Sequence, residues 1–120
     1  MNAEKWLDEY TRVICEGLLQ DCLDLISEDV RFHGMPGQKP LLGRGELERY
    51  FASEFGDRGR LPVIDFTNVE IDELPGGTWK VRSLQTYYPP VLPFIQAHAE
   101  FTLREEDDRL RLTAAHLGVI

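Results

Sequence analysis

The chain has 120 residues, 42% apolar and 28% charged, the composition of an ordinary globular protein, and its length fits one domain able to bury about two-thirds of its unfolded surface. Its net charge is -8, and the 13 basic residues are scattered with no basic block, which excludes nucleic acid as an expected partner. The N-terminus MNAEKWLDEY has no apolar signal core and no apolar run reaches a membrane span, so no membrane partner is expected and the cytoplasm is the expected compartment.

Residues 3–20 are predicted to form a helix. Trp6, Tyr10, Val13 and Gly17 recur at helical spacing with Leu7, Ile14 and Leu18 beside them, while Glu4, Asp8, Glu9, Arg12 and Glu16 fall largely on the other side. Gly17 inside a helix costs about 1 kcal/mol relative to Ala, and close approach of another element is one reason for it. A short second helical turn is predicted over 21–26, with Asp21 as its N-cap. Cys15 and Cys22 make no CxxC pair and show no zinc spacing. They read as two small buried apolar residues rather than a disulfide. No metal site and no cofactor are expected.

Residues 30–33 are predicted as a strand, with Val30, Phe32 and Gly34 on one face and Arg31 and His33 on the other. A Pro/Gly loop over 35–40 follows, then a helix over 43–55 that stacks Leu47, Phe51 and Phe55 beside Tyr50. Glu46 and Glu48 stand in its early turns, where the helix dipole favours acids. From Pro62 the apolar period changes to two, which signals sheet.

Strands are predicted over 63–74 and 78–88, joined by Pro75-Gly76-Gly77. That loop sets Leu74 opposite Thr78, Ile71 opposite Val81, Asp72 opposite Lys80 and Glu70 opposite Arg82, so that apolar meets apolar and acid meets base. Val69, Ile71, Trp79, Val81, Ser83 and Gln85 then face inward. Ile64 and Phe66 are out of phase with Val69 and Ile71, which implies a bulge near Thr67-Asn68. Pro89, Pro90 and Pro93 force a turn that admits a cis bond. Strands over 94–104 and 109–119 follow, joined by the acidic turn 105–108. Pairing Leu103 with Leu112 sets Phe101 opposite Ala114, Ala99 opposite His116 and Ala97 opposite Gly118, with His116 the one titratable group on this inward face. Gln96, His98, Glu100, Thr102, Thr113, Ala115, Leu117 and Val119 fall on the other face.

The predicted class is α+β: N-terminal helices packed on one face of a strongly bent antiparallel (mixed) sheet, forming a cone with an apolar interior. On Glu28-Asp29-Val30-x-Phe32-His33, on Leu42-Gly43-Arg44-x-x-Leu47-x-x-Tyr50-Phe51, and on this element order, the chain resembles the nuclear transport factor 2-like superfamily, which includes ketosteroid isomerases and SnoaL-like cyclases. The resemblance spans essentially the whole chain. It implies a pocket for a small molecule and frequent dimerisation through the outer sheet face, here one carrying Leu84, Leu117 and Val119. It does not choose among isomerase, cyclase, dehydratase, hydrolase and non-catalytic binding modules.

The resemblance also implies a carboxylate base just after the first strand and a tyrosine donor on the first helix. Gly34 stands at the first position, and Tyr10 lies near the second. Alternation points His33 away from the cavity, as a surface or interface histidine. His116, opposite small Ala99, is the expected acid or base, with Tyr10 as hydrogen-bond donor to a substrate oxygen. Trp6, Tyr10, Phe32, Phe51, Phe55, Trp79, Ala97, Ala99 and His116 are the expected lining of a pocket for a small apolar or aromatic ligand. Two functions fit: an isomerase or cyclase acting on a carbonyl compound in that pocket, or a non-enzymatic homodimeric or accessory module whose cone is a packed core.

Overall fold

The structure, a computed structural model, describes residues 2–34, 37–56, 63–88 and 94–119, without the side chains of residues 55 and 119. The element order is α1 (Ala3–Glu16), α2 (Leu19–Leu23), β1 (Ile26–His33), β2 (Leu41–Leu42), α3 (Arg44–Gly56), β3 (Val63–Leu74), β4 (Thr78–Tyr88), β5 (Ile95–Glu106) and β6 (Arg109–Val119). The six strands form one mixed sheet in the order β2-β1-β6-β5-β4-β3. The class is α+β, as expected. The Pro-rich turn over 89–93 lies outside the described residues.

Helix α1 starts where the Asn2 side chain accepts a hydrogen bond from the Lys5 amide at 2.8 Å. It is shorter than predicted, and Gly17 is its terminator, not an interior residue. Gly17 adopts a left-handed conformation (φ 69°). Its amide donates to the Ile14 carbonyl and the Leu18 amide to the Val13 carbonyl, which satisfies two carbonyls left open by the last turn. Leu18, not Asp21, then precedes α2, and it makes no side-chain cap. The buried face of α1 carries Trp6, Leu7, Tyr10, Val13 and Ile14 against Phe101, Leu103 and Leu112 of the sheet. The Trp6 indole N–H donates to the Leu25 carbonyl at 3.2 Å.

Strand β1 begins four residues before the predicted start and pairs parallel with β6, bringing Arg31 beside Ala114, Phe32 beside Ala115 and His33 beside His116. A two-residue strand, β2, hydrogen-bonds to its other side, between the loop predicted over 35–40 and the helix predicted over 43–55. At the lower end of β1, a polar cluster ties it to the β5–β6 turn. The Ser27 hydroxyl lies 2.7 Å from an Asp29 carboxylate oxygen and 3.0 Å from Glu106 Oε2. Arg104 bonds Glu106 through Nε at 2.9 Å and reaches Asp29 at 3.3 Å. Arg111 faces Glu106 at 3.7 Å. The turn itself holds Asp107 and Asp108 at φ 52° and 63°, the left-handed pair that matches the twist of a tight hairpin.

The β3–β4 register is the one the sequence predicts: Leu74 pairs with Thr78, Asp72 with Lys80, Ile71 with Val81 and Glu70 with Arg82. The predicted bulge falls between Thr67 and Glu70, with Asn68 left-handed at φ 53°. β3 is the sheet's edge. From Thr67 to Leu74 every residue is exposed, including the inward-phased Ile71.

The β5–β6 register departs from expectation. Leu103 pairs with Leu112 as predicted, but Thr102 pairs with Ala114, so Thr113 is an extra residue on β6. A bulge of this kind reverses which face the following side chains occupy. Phe101 therefore meets Ala115, Ala99 meets Leu117 and Glu100 meets His116. Ala115 is buried and Leu117 packs against the core. His116 is exposed, which corrects its expected inward position and the outward one of Ala115 and Leu117.

Candidate functional site

A cavity of about 250 Å³ opens between the helices and the inner sheet face. Its helical wall comes from Tyr10 and Ile14 of α1 and from Tyr50, Phe51 and Glu54 of α3. Its sheet wall comes from Phe32, Ile64, Gln85, Tyr87, Ile95, Ala97 and Leu117, and Gly34 and Gln38 stand at the end of β1 and in the following loop. The strands' alternation sets this composition: residues with inward phase supply one apolar side chain each, with Gln85 as an amide among them. Two further concavities are open grooves. One lies between α1 and β3, lined by Leu7, Phe66, Val69 and Ile71 with Glu4, Asp8 and Asp65. The other lies on the outer sheet face.

The cavity floor is aromatic. Tyr10 stacks on Trp6 with ring centroids 5.0 Å apart and an interplanar angle of 11°, and meets Phe101 edge-on at 5.6 Å. Phe32 and Phe51 meet edge-on at 6.4 Å. These offset and edge geometries are the favoured ones for rings carrying a quadrupole. Tyr10 is 4% exposed. Burial above all, then Cys22 and Tyr50, pushes its phenol well above the ordinary value. Near neutral pH it is therefore an uncharged O–H donor. Cys22 behind it is likewise pushed up by burial, to about 12, so it is a thiol and not a nucleophile. Cys15 and Cys22 are both free.

Gly34 occupies the position where the resemblance implies a carboxylate. A Cβ built on Gly34 would come within 2.4 Å of Gln38 Oε1, so the Gln38 amide fills the space into which a side chain at residue 34 would extend. Glu54 is the carboxylate on the cavity wall among the described residues.

Of the residues predicted to line a pocket, Tyr10, Phe32, Phe51 and Ala97 stand on the cavity wall. Trp6 is fully buried beneath Tyr10. Ala99 is buried and faces inward but is not on the cavity wall, and Trp79 is half-buried beside the core. The Phe55 side chain lies outside the described residues. His116 is on the opposite side of the sheet, its ring 5.6 Å from that of His33. Its predicted partnership with Tyr10 is therefore not formed. Gln38, Glu54, Tyr87 and Ile95 join the wall without a sequence signal that marks them, and Leu117 lines it from the face opposite to the one plain alternation assigns.

The sequence matches no protein-family model and no curated protein. Solved structures do match. An NTF2-like protein of unknown function from Pseudomonas putida KT2440 superposes with a TM-score of 0.85 at 8% identity, over 96% of this chain and 82% of that one. A second, from Shewanella oneidensis MR-1, gives 0.82 at 18% identity over 96% and 94%. A provisionally assigned scytalone dehydratase from Novosphingobium aromaticivorans DSM 12444 gives 0.79 at 18% identity over 95% and 78%. The chain has the nuclear transport factor 2-like fold, a mixed sheet that does not close around its N-terminal helices. At these identities the likeness is one of fold alone.

Proposed function

We propose that the chain binds a small apolar or aromatic ligand bearing a carbonyl oxygen, in the cavity between α1, α3 and the inner sheet face. The observation that carries this reading is Tyr10, a buried, uncharged phenol on the wall of a cavity otherwise built mainly from apolar and aromatic side chains. An apolar pocket with a few convergent polar groups is the usual form of a small-molecule site. Its volume of about 250 Å³ lies just below the usual range for such sites, which begins at about 300 Å³, and favours a ligand of one or two rings.

The chemistry follows from where the polar atoms stand. A carbonyl oxygen that accepts from the Tyr10 hydroxyl gains most when it becomes an enolate, because a donor in a dry site stabilises developing charge more than a neutral oxygen. Glu54 is the wall's carboxylate, the group able to take the proton next to that carbonyl. In this reading the protein is an isomerase or cyclase in which Glu54 takes the role that Gly34 cannot fill.

A second reading is a homodimeric binding module without chemistry, joined through the outer sheet face. It is favoured by one observation: the Gln38 amide occupies the space where the resemblance implies a base.

The test is a thermal-shift series with one- and two-ring aromatic ketones and with the matching hydrocarbons. A ligand at 100 times its dissociation constant stabilises the fold by about 2.7 kcal/mol. Tyr10→Phe is expected to reduce the shift for ketones and leave it for hydrocarbons. Equal shifts for both series in both proteins would remove Tyr10 from the reading. Deuterium exchange next to the ketone, lost in Glu54→Gln, separates the enzyme from the binding module.

A further inference from the structure

The parallel pairing of β1 with β6 makes His33 and His116 direct lateral neighbours. Both point to the outer face, and their ring centroids are 5.6 Å apart at an interplanar angle of 39°. His116 is exposed and His33 half-buried, so water reaches the pair. We propose that His33 and His116 form a two-imidazole chelate for a divalent transition-metal ion such as Zn²⁺ or Ni²⁺. The site is outside the cavity and rests on nothing proposed for it.

The spacing carries the argument. Two imidazoles bound tetrahedrally to one ion, with metal–nitrogen distances of about 2.0–2.1 Å, hold their ring centroids roughly 5 Å apart. The observed separation needs only a small closure, within reach of side-chain torsions on two strands whose backbones the sheet already fixes. Imidazole suits zinc, copper and nickel and is a poor match for magnesium or calcium, which select oxygen ligands.

The groups facing the pair define the rest of the site. Glu100, the β5 neighbour of His116, is held by Lys80 at 2.9 Å and Arg82 at 3.4 Å, so its carboxylate is engaged elsewhere. His98 lies on the same face but opposite Gly118, one inter-strand row away. Among the described residues no group of three His, Cys, Asp or Glu side chains is placed to hold an ion. The ion would therefore keep open positions filled by water or by an oxygen or nitrogen of an exogenous ligand. The chain's net charge of -8 favours the approach of cations in general.

The test is titration of tag-free full-length protein with ZnCl₂ and NiCl₂, read by calorimetry and by the imidazole proton resonances of the three histidines. One ion per chain is expected, with Zn²⁺ shifting the His33 and His116 resonances. His33→Ala and His116→Ala are each expected to weaken binding by at least about tenfold, the lower range seen when only an outer partner of a metal ligand is lost. His98→Ala is expected to leave it unchanged. Binding that survives in His33→Ala overturns the proposal, as does binding that His98→Ala weakens as much as His116→Ala does. Binding that persists in the His33→Ala/His116→Ala double variant and is lost with Cys15→Ser assigns the ion to the thiol and also overturns it.

Discussion

The Thr113 hydroxyl donates to the Thr102 carbonyl at 3.2 Å, across the one place where β6 has a residue with no partner on β5. That bond pins the bulge on which the faces of the following residues depend. Thr113→Ala is expected to cost about 1 kcal/mol, the usual net loss for one hydrogen bond. Deleting Thr113 removes the extra residue and restores plain alternation from Leu112 onward, while Ala115 stays opposite Phe101, Leu117 opposite Ala99 and His116 opposite Glu100, each on its present face. The expected loss is therefore of the same order as for Thr113→Ala, about 1 kcal/mol, because no core residue changes face. Urea denaturation measures both, and a deletion costing on the order of 4 kcal/mol, the size of an opened core, would show that Thr113 is not the extra residue that sets the faces.

Ala97 is 4% exposed and stands on the cavity wall. Ala97→Phe places a ring in the cavity. Overpacking is expected to limit any stability change to about 1–3 kcal/mol, while every ligand-induced thermal shift disappears. A variant that folds and still gives the full shift would place the ligand elsewhere.

Glu106 links pH to stability. Burial alone would raise its carboxyl, but hydrogen bonds from Arg104 and Ser27, helped by the charges of Arg104 and Arg111, outweigh burial and hold it below the usual carboxylate range. Asp29 is held down too, first by its hydrogen bond from Ser27 and also by the Arg104 charge. A depressed folded value stabilises above the unfolded value and is lost as pH falls through the folded one. Stability is therefore expected to drop on acidification below about pH 4. In Glu106→Gln this slope should flatten, and an unchanged slope in acid titrations followed by circular dichroism would refute the linkage.

Ser83 Oγ is buried with no hydrogen-bond partner among the described residues. A buried, unsatisfied hydroxyl carries its desolvation cost without return. Ser83→Ala is expected to raise stability by about 1 kcal/mol, measured by denaturant midpoint. A loss of similar size would mean that the hydroxyl is bonded in solution.

Legibility in the sequence followed the size of the side chains. In β3 the conflict between Ile64 and Phe66 on one phase and Ile71 on the other announces a bulge, because large apolar residues cannot all be right under plain alternation. In β6 the run Thr113-Ala114-Ala115 carries no such conflict, since alanine fits either face. The bulge was invisible there, and with it the positions of His116 and Leu117. The β3–β4 hairpin was readable because Pro75-Gly76-Gly77 fixed the loop and charge pairs confirmed the register. The parallel contact of β1 with β6 joins residues far apart in sequence, so neither the His33–His116 pair nor the cavity wall made by both strands has a local signal. Gly17 reads from sequence as a costly helix-interior residue, and only its left-handed backbone marks it as the helix terminator.

The long edge strand has a consequence for how copies of the chain meet. Among the described residues, β3 leaves one row of its amides and carbonyls unpaired within the sheet, and Val63, Val69, Ile71 and Leu74 are exposed along it. Such an edge is a template on which another chain can add a strand. Asp65, Glu70, Asp72 and Glu73 are interleaved with those apolar residues and are all exposed. Two such edges brought together would oppose acid to acid, and the left-handed Asn68 breaks the ladder between them. Fibrillar growth from the sheet's open side is thus resisted by charge while these acids are ionised, and acidification removes that barrier.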